Sequence, residues 1–312
     1  EGWKVVGIDA FSDYYDPDLK RARNAQLEKH DTFVGVEDRI ERESCLADLF
    51  AEHKPDVVVH LAAQAGVRHS IEAPRDYVDA NLIGTYELLE AARAHPPKHM
   101  LLASTSSVYG ANETMPYAET DKADTQMSFY AATKKATEAM AHSYAHLYDL
   151  PISMFRFFTV YGPWGRPDMA YFKFVKAILE GREIDVYNHG KMHRDFTFID
   201  DLIDAVWRLS EVIPRTPAGR FDGLSPVAPF RVVNIGKSEP DTLGDFIASI
   251  EAALGLSAKQ NLMDMQPGDV VATWSDDTLL KSLIGTSPET PLSVGVPAFV
   301  EWYKEYYGVE GA

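Results

Sequence analysis

Lys98-His-Met-Leu-Leu-Ala-Ser-Thr-Ser-Ser-Val-Tyr-Gly110 is the stretch on which the fold turns. Met100 to Ala103 is a short apolar run, as expected of a parallel strand buried on both faces. Ser104, Thr105, Ser106 and Ser107 follow at once. Open α/β sheets take their ligands beyond the carboxyl ends of their strands, so these hydroxyls stand where a ligand hydroxyl can be bonded. For any one of the serines, an ordinary polar loop is the competing account.

The pattern repeats on either side. Asp56-Val-Val-Val-His-Leu-Ala-Ala-Gln-Ala-Gly66 reads as a second buried strand whose small residues, Ala62, Ala63 and Gly66, let a flat ring approach the backbone. Trp3-Lys-Val-Val-Gly-Ile-Asp9 reads as a strand ending in a carboxylate. Strand-like runs near 3–8, 32–36, 56–61, 99–104 and 152–158 alternate with helical stretches near 43–53, 75–94, 127–148 and 170–180. That alternation predicts an α/β fold, a doubly wound parallel sheet with helices on both faces. Beyond Phe158 prolines punctuate short elements, and 214–229 reads as an exposed loop. A strand at 231–236 and amphipathic helices at 242–254 and 297–307 belong to a smaller C-terminal α/β lobe. The expected division is 1–160 as a nucleotide domain, with 190–236 partly returning to it, and 161–190 with 237–312 as the second lobe.

Composition narrows the class. In 312 residues, 46% hydrophobic and 25% charged content suits a globular enzyme, and no apolar run approaches the ~18 residues of a membrane span. A net charge of −17 repels nucleic acid and anionic membranes. An anionic ligand therefore needs local cations, for which Arg68, Lys134, Arg166, Arg194 and Arg231 are candidates. The single cysteine, Cys45, reads as a packing residue and suits a reducing, cytoplasmic setting. No His/Cys/Asp/Glu cluster has ligand spacing, so no metal is expected. His60 reads as a core histidine.

Tyr130-Ala-Ala-Thr-Lys134 carries the chemistry. Four residues apart on a helix, phenol and ammonium share one face. A free phenol titrates near ~10, and a neutral-pH base needs that lowered by roughly 3 pH units, about 4 kcal/mol, to which an adjacent cation contributes. Taken alone, this spacing more often marks a plain helix surface.

Taken together, these motifs resemble the extended short-chain dehydrogenase/reductase family, and within it the NAD-dependent sugar-nucleotide epimerases. Supporting pieces are Asp13-Tyr-Tyr-Asp16, His60-Leu-Ala-Ala-Gln-Ala-Gly-Val-Arg68, Arg156-Phe-Phe-Thr-Val-Tyr-Gly-Pro-Trp-Gly-Arg-Pro-Asp168, Arg194-Asp-Phe-Thr-Phe-Ile-Asp-Asp201 and Gln266-Pro-Gly-Asp269. The resemblance implies a Rossmann-like sheet, NAD as cofactor and a UDP-sugar as substrate, with 4-epimerisation of UDP-glucuronate as the expected reaction. It places Asp9, Leu61, Ala62, Ala63, Asn81, Ser104, Tyr130, Lys134 and Phe157 around NAD. The Asp9 carboxylate would bond the adenosine ribose and repel a 2′-phosphate. Tyr130 would act as base, Lys134 would tune it, and Thr105 would orient the C4 hydroxyl. Around the sugar nucleotide it places Arg68, Thr105, Ser106, Ser107, Thr159, Arg166, Tyr187, Arg194 and Asp269. Arg166 would clamp the sugar carboxylate, Arg194 a phosphate, Asp269 the uridine ribose and Tyr187 the uracil. Arg166 could instead pair with a protein acid, and Arg194–Asp195 could form a structural ion pair. The 4,6-dehydratases carry Asp-Glu where this chain has Ser106 and Ser107, and decarboxylating relatives carry Glu at the Ser107 position; both differences favour plain epimerisation.

Three departures qualify the expectation. Ala10 replaces the usual asparagine after the ribose acid, and Asp38-Arg39-Ile40 is offset from the adenine-pocket pair. The family's opening strand and Gly-rich turn, which seat the cofactor pyrophosphate on a helix N-terminus, have no counterpart here. The expectation is a sheet without its central strand and a weakened hold on NAD. Two other readings stay open: a UDP-glucose/UDP-galactose 4-epimerase, and a non-catalytic protein unable to hold NAD. A homodimer through the helices near 75–94 and 127–148 is expected, with Tyr144, Leu147 and Tyr148 facing the partner.

Overall fold

A computed structural model describes residues 2–215, 225–265 and 271–309. They form two compact units, 1–113 with 119–156 and 209–233, and 114–118 with 157–208 and 234–312.

In the first unit the apolar runs become parallel strands, but in two separate sheets. Val5–Asp9 pairs in parallel with Phe33–Glu37. Val57–His60 pairs in parallel with His99–Thr105, which lies beside Ile152–Phe157 and then Phe230–Ile235. His99–Thr105 is buried along its whole length, as its continuous apolar run requires. The core below it joins Leu88, Leu89, Met100, Leu102, Ala141, Ala145, Ile152 and Met154, with Ile8 of the two-stranded sheet packed against it. Cys45 opens the helix Cys45–His53 and is 3% exposed.

The helical stretch expected at 75–94 is three pieces: Pro74–Tyr77, a π turn at Val78–Ile83, and Gly84–Ala94. Such a turn inserts a residue into the α-helical repeat, and these insertions are frequent at functional sites. It carries Asn81, 1% exposed. The strand expected at 152–158 stops at Phe157, and a new strand, Thr159–Tyr161, pairs with Phe196–Phe198.

The second unit packs on aromatic rings. Tyr161 meets Tyr171, Phe196, Phe198 and Phe246, while Phe299 and Trp302 lie against Phe172. The last helix runs Leu292–Tyr307, starting five residues before the expected 297. Leu292, Gly295, Val296, Phe299 and Val300 line its buried face, and a Cβ on Gly295 would lie 2.2 Å from the Tyr161 hydroxyl.

Candidate active site

The hydroxyl-rich strand end is a built turn. Thr105 caps the 3₁₀ turn Ser106–Tyr109, its Oγ1 accepting from the Ser107 amide at 3.2 Å and donating to Ser107 Oγ at 3.2 Å. Thr105 is 8% exposed, whereas Ser106 and Ser107 are half-buried and open to a ligand. Gly110 ends the turn at φ +57°, where a Cβ would lie 2.0 Å from the Thr125 carbonyl oxygen, so only glycine fits.

Tyr130 and Lys134 lie one turn apart on the helix Phe129–Tyr148, which Ser128 caps through the Ala131 amide at 3.1 Å. Tyr130 is half-buried, and its ring meets that of Tyr77 edge-on at 6.0 Å. Lys134 is 3% exposed. Burial lowers it to about 8, with the Glu138 charge acting in the opposite sense. Burial first and the Lys134 charge second hold His60 neutral, pushed down to about 3; its Nε2 lies 3.5 Å from Thr85 Oγ1.

Asn81 joins this helix to the loop after Val57–His60. Its Oδ1 accepts from the Gln64 amide at 2.8 Å, and its Nδ2 donates to the Gln64 carbonyl at 3.1 Å and to Thr133 Oγ1 at 3.0 Å. The Tyr77 hydroxyl donates to the carbonyls of Ala65 and Gly66 at 2.9 and 2.5 Å. The reading of the sequence passed over Tyr77, although Tyr77 and Asn81 stand four residues apart in one helical stretch. The loop they hold presents Leu61 and Ala63 exposed and Ala62 half-buried, followed by exposed Arg68. Asp9 is exposed at the end of its strand, and its Oδ1 accepts from the Phe11 amide at 2.8 Å.

A dinucleotide fits this unit on the evidence of Lys134. Its side chain is almost wholly buried one turn from Tyr130, and an ammonium placed there can donate to the ribose hydroxyls of a ligand.

In the second unit, Thr159 lies opposite Phe196 and donates its amide to the Asp195 carbonyl at 3.0 Å. Arg166 is held bidentately by Asp168, Nε to Oδ1 at 3.1 Å and Nη2 to Oδ2 at 2.9 Å. Its loop is fixed by Trp164, which is at φ +60° with its ring 5.3 Å from those of Trp302 and Tyr306. Arg194 Nη1 donates to the His193 carbonyl at 2.8 Å. Asp195 is wholly buried and accepts from the amides of Lys237, Ser238 and Ser275 and from the hydroxyls of Thr197 and Ser275. It organises the backbone around Arg194. Tyr187 ends the strand Glu183–Tyr187, and Phe157 ends Ile152–Phe157; both are half-buried. Asp269 lies outside the described residues. Among the described residues no group of three or more His, Cys, Asp or Glu side chains is placed to hold a metal ion, and no helix is long and apolar enough to cross a membrane.

A Rossmann-like parallel sheet with a Tyr-Lys helix beside a hydroxyl-rich strand end defines a short-chain dehydrogenase type of nucleotide-binding enzyme. The chain belongs to the NAD-dependent epimerase/dehydratase family, whose model matches residues 1–222. It is 52% identical to a probable UDP-glucuronate 4-epimerase of Rhizobium meliloti (strain 1021) over 98% of this chain and 92% of that protein. It is 44% identical to UDP-glucuronate 4-epimerase 4 of Arabidopsis thaliana over 97% of this chain and 70% of that one. Among solved structures, the UDP-glucuronic acid 4-epimerase of Bacillus cereus, in complex with UDP-glucuronic acid and NAD, aligns with a TM-score of 0.86 at 33% identity, covering 97% of this chain and 91% of that one.

Proposed function

We propose that this chain catalyses the NAD-dependent 4-epimerisation of UDP-glucuronate to UDP-galacturonate through a 4-keto sugar. The observation that carries the reading is the buried Lys134, one helical turn from Tyr130 on the helix that packs against the hydroxyl-rich strand end. Bound NAD supplies the chemistry of taking up and returning one hydride. Asp9, the 61–63 loop, Asn81, Ser104, Phe157 and Lys134 hold it.

Tyr130 removes the proton of the C4 hydroxyl as general base and returns it after the sugar has turned over. Lys134 stabilises the phenolate by its charge and donates to the nicotinamide ribose. Thr105, Ser106 and Ser107 orient the reacting hydroxyl. Neither serine position carries the acid that elimination or decarboxylation needs. In the second unit, Thr159 and Arg166 take the sugar carboxylate. Asp168 engages Nε and Nη2 of Arg166 in this structure, so the sugar carboxylate must displace it to be clamped by that fork. A 4-keto uronate is a β-keto acid and loses CO2 when its C–COO bond aligns with the carbonyl π system, so fixing the carboxylate out of alignment protects the intermediate. Arg194 binds the diphosphate, Tyr187 and Asp269 the uridine, and Arg68 adds positive charge near the loop. The working form is a homodimer in the cytoplasm, paired through the outer faces of Gly84–Ala94 and Phe129–Tyr148, where Tyr86, Leu147 and Tyr148 are exposed.

Incubation with UDP-glucuronate and NAD, followed by NMR, tests the reading. UDP-galacturonate is the expected product; a UDP-pentose or no turnover overturns it. Arg166→Ala should lose about 2–4 kcal/mol in kcat/KM with UDP-glucuronate, the scale for truncating one partner of a charge pair. Unchanged kinetics would remove the carboxylate clamp.

A further inference from the structure

The roles above leave the one carboxylate of the Tyr-Lys helix unused. Glu138 stands one turn beyond Lys134 and is 4% exposed. Its Oε1 accepts from Ser104 Oγ at 2.7 Å and from Arg156 Nε at 2.9 Å. Its Oε2 accepts from Arg156 Nη2 at 2.8 Å and from Lys135 Nζ at 3.0 Å. Arg156 is 3% exposed, and its guanidinium carbon lies 4.6 Å from the centre of the Tyr109 ring. One carboxylate thus ties the helix to the strand end before Thr105 and to the strand Ile152–Phe157. Through Arg156 it reaches the turn that carries Ser106 and Ser107.

A buried ion pair is weak evidence for a stabilising role, since apolar replacements often do as well. What distinguishes this one is the set of elements it joins, each carrying a group of the proposed chemistry. We propose that Glu138 is a positioning residue for the epimerisation. Its carboxylate holds the Ser104–Thr105 strand end and the serine turn against the helix, and supplies the negative charge facing the Lys134 ammonium.

This inference rests on the assignment of Tyr130 and Lys134 as the reacting pair. The other titratable and charged groups packed there are Tyr130 and Lys135 on the same helix, His60 from Val57–His60, Arg156 from Ile152–Phe157, and Tyr109 from the turn. His60 is held neutral, Arg156 and Lys135 are engaged by Glu138, and Glu138 is the carboxylate acting on Lys134. Burial favours the neutral acid of Glu138, but the hydrogen bonds and charge of Arg156, the charge of Lys135 and the Ser104 hydrogen bond together outweigh it and hold the carboxyl at about 2, so it is ionised throughout the working range.

Glu138→Gln keeps the shape and removes the charge. A lost anion disfavours a neighbouring cation, so the alkaline limb of kcat/KM against pH should move to lower pH by roughly 1 pH unit. Glu138→Asp keeps the charge but shortens the reach; it should leave that limb in place while kcat falls. The double variant Glu138→Gln/Arg156→Gln avoids stranding a buried guanidinium, and should fold and retain the shifted limb should the single variant be unstable. A titration of the protein labelled with ¹³Cε-lysine, followed by NMR without substrate, reads Lys134 directly. A lower midpoint in the Gln variants supports the proposal, even if the wild type fails to turn over UDP-glucuronate; that failure would count against the reaction assigned above. An unmoved Lys134 midpoint, or a profile that loses height without shifting, overturns the positioning role.

Discussion

At the scale of single residues, Tyr130 is the sharpest test. Tyr130→Phe should leave the fold and UDP-sugar binding intact and reduce kcat by about 10²–10⁴-fold, the usual contribution of a general base. Product NMR for turnover and calorimetry for binding check the two halves. The Tyr-Lys pair was legible in the sequence because both residues sit on one helix at a fixed spacing. The Glu138 network was not, since Ser104 lies 34 residues and Arg156 18 residues from Glu138. Contacts of that range follow from strand order, and no local pattern announces them. Arg166 shows a further limit. A guanidinium that fits a substrate carboxylate also fits Asp168 two residues along, so residue type alone cannot separate the two partners.

At the scale of elements, the strands of the two- and four-stranded sheets were legible because continuous apolar runs leave few alternatives, whereas the short strands of the second unit, such as Glu183–Tyr187 and Lys259–Met263, were not. The π turn was invisible, because one extra residue shifts the periodicity without changing composition. Its stability contribution is measurable. Asn81→Ala strips bonds from buried groups in the Gln64 backbone and Thr133, and should cost about 2–4 kcal/mol in urea unfolding, at roughly 1–3 kcal/mol per buried group left unsatisfied. A cost below 1 kcal/mol would mean water replaces those bonds. Gly110→Ala should cost about 2–5 kcal/mol, combining left-handed strain with the close Thr125 carbonyl. The last helix starts before the expected 297 because its first turns already bury Leu292, Gly295 and Val296.

At the scale of the molecule, the α/β class and the parallel pairing were legible from the alternation of runs. The separation into a two-stranded and a four-stranded sheet accords with the expectation of a sheet without its central strand. The buried titratable groups give the fold a definite acid response. His60 stays neutral in the folded chain down to about 3, against an ordinary 6.5, so the unfolded chain binds the extra proton between those values. Stability therefore falls as pH drops from 6.5 towards 3, by up to about 1.4 kcal/mol per pH unit for one such group. Glu138 adds a loss of the same sign as pH falls from 4.5 towards about 2. His60→Gln should flatten the stability profile between pH 6 and 4.5, measured by urea titrations at each pH; an unchanged slope would assign that acid sensitivity elsewhere. The lone thiol of Cys45 offers a different kind of measurement. Sealed in the first unit's core, it can meet a disulfide reagent only when that core opens. With one sulfhydryl in the chain, every labelling event has a single origin, so the reaction rate becomes an internal clock for how often the first unit comes apart.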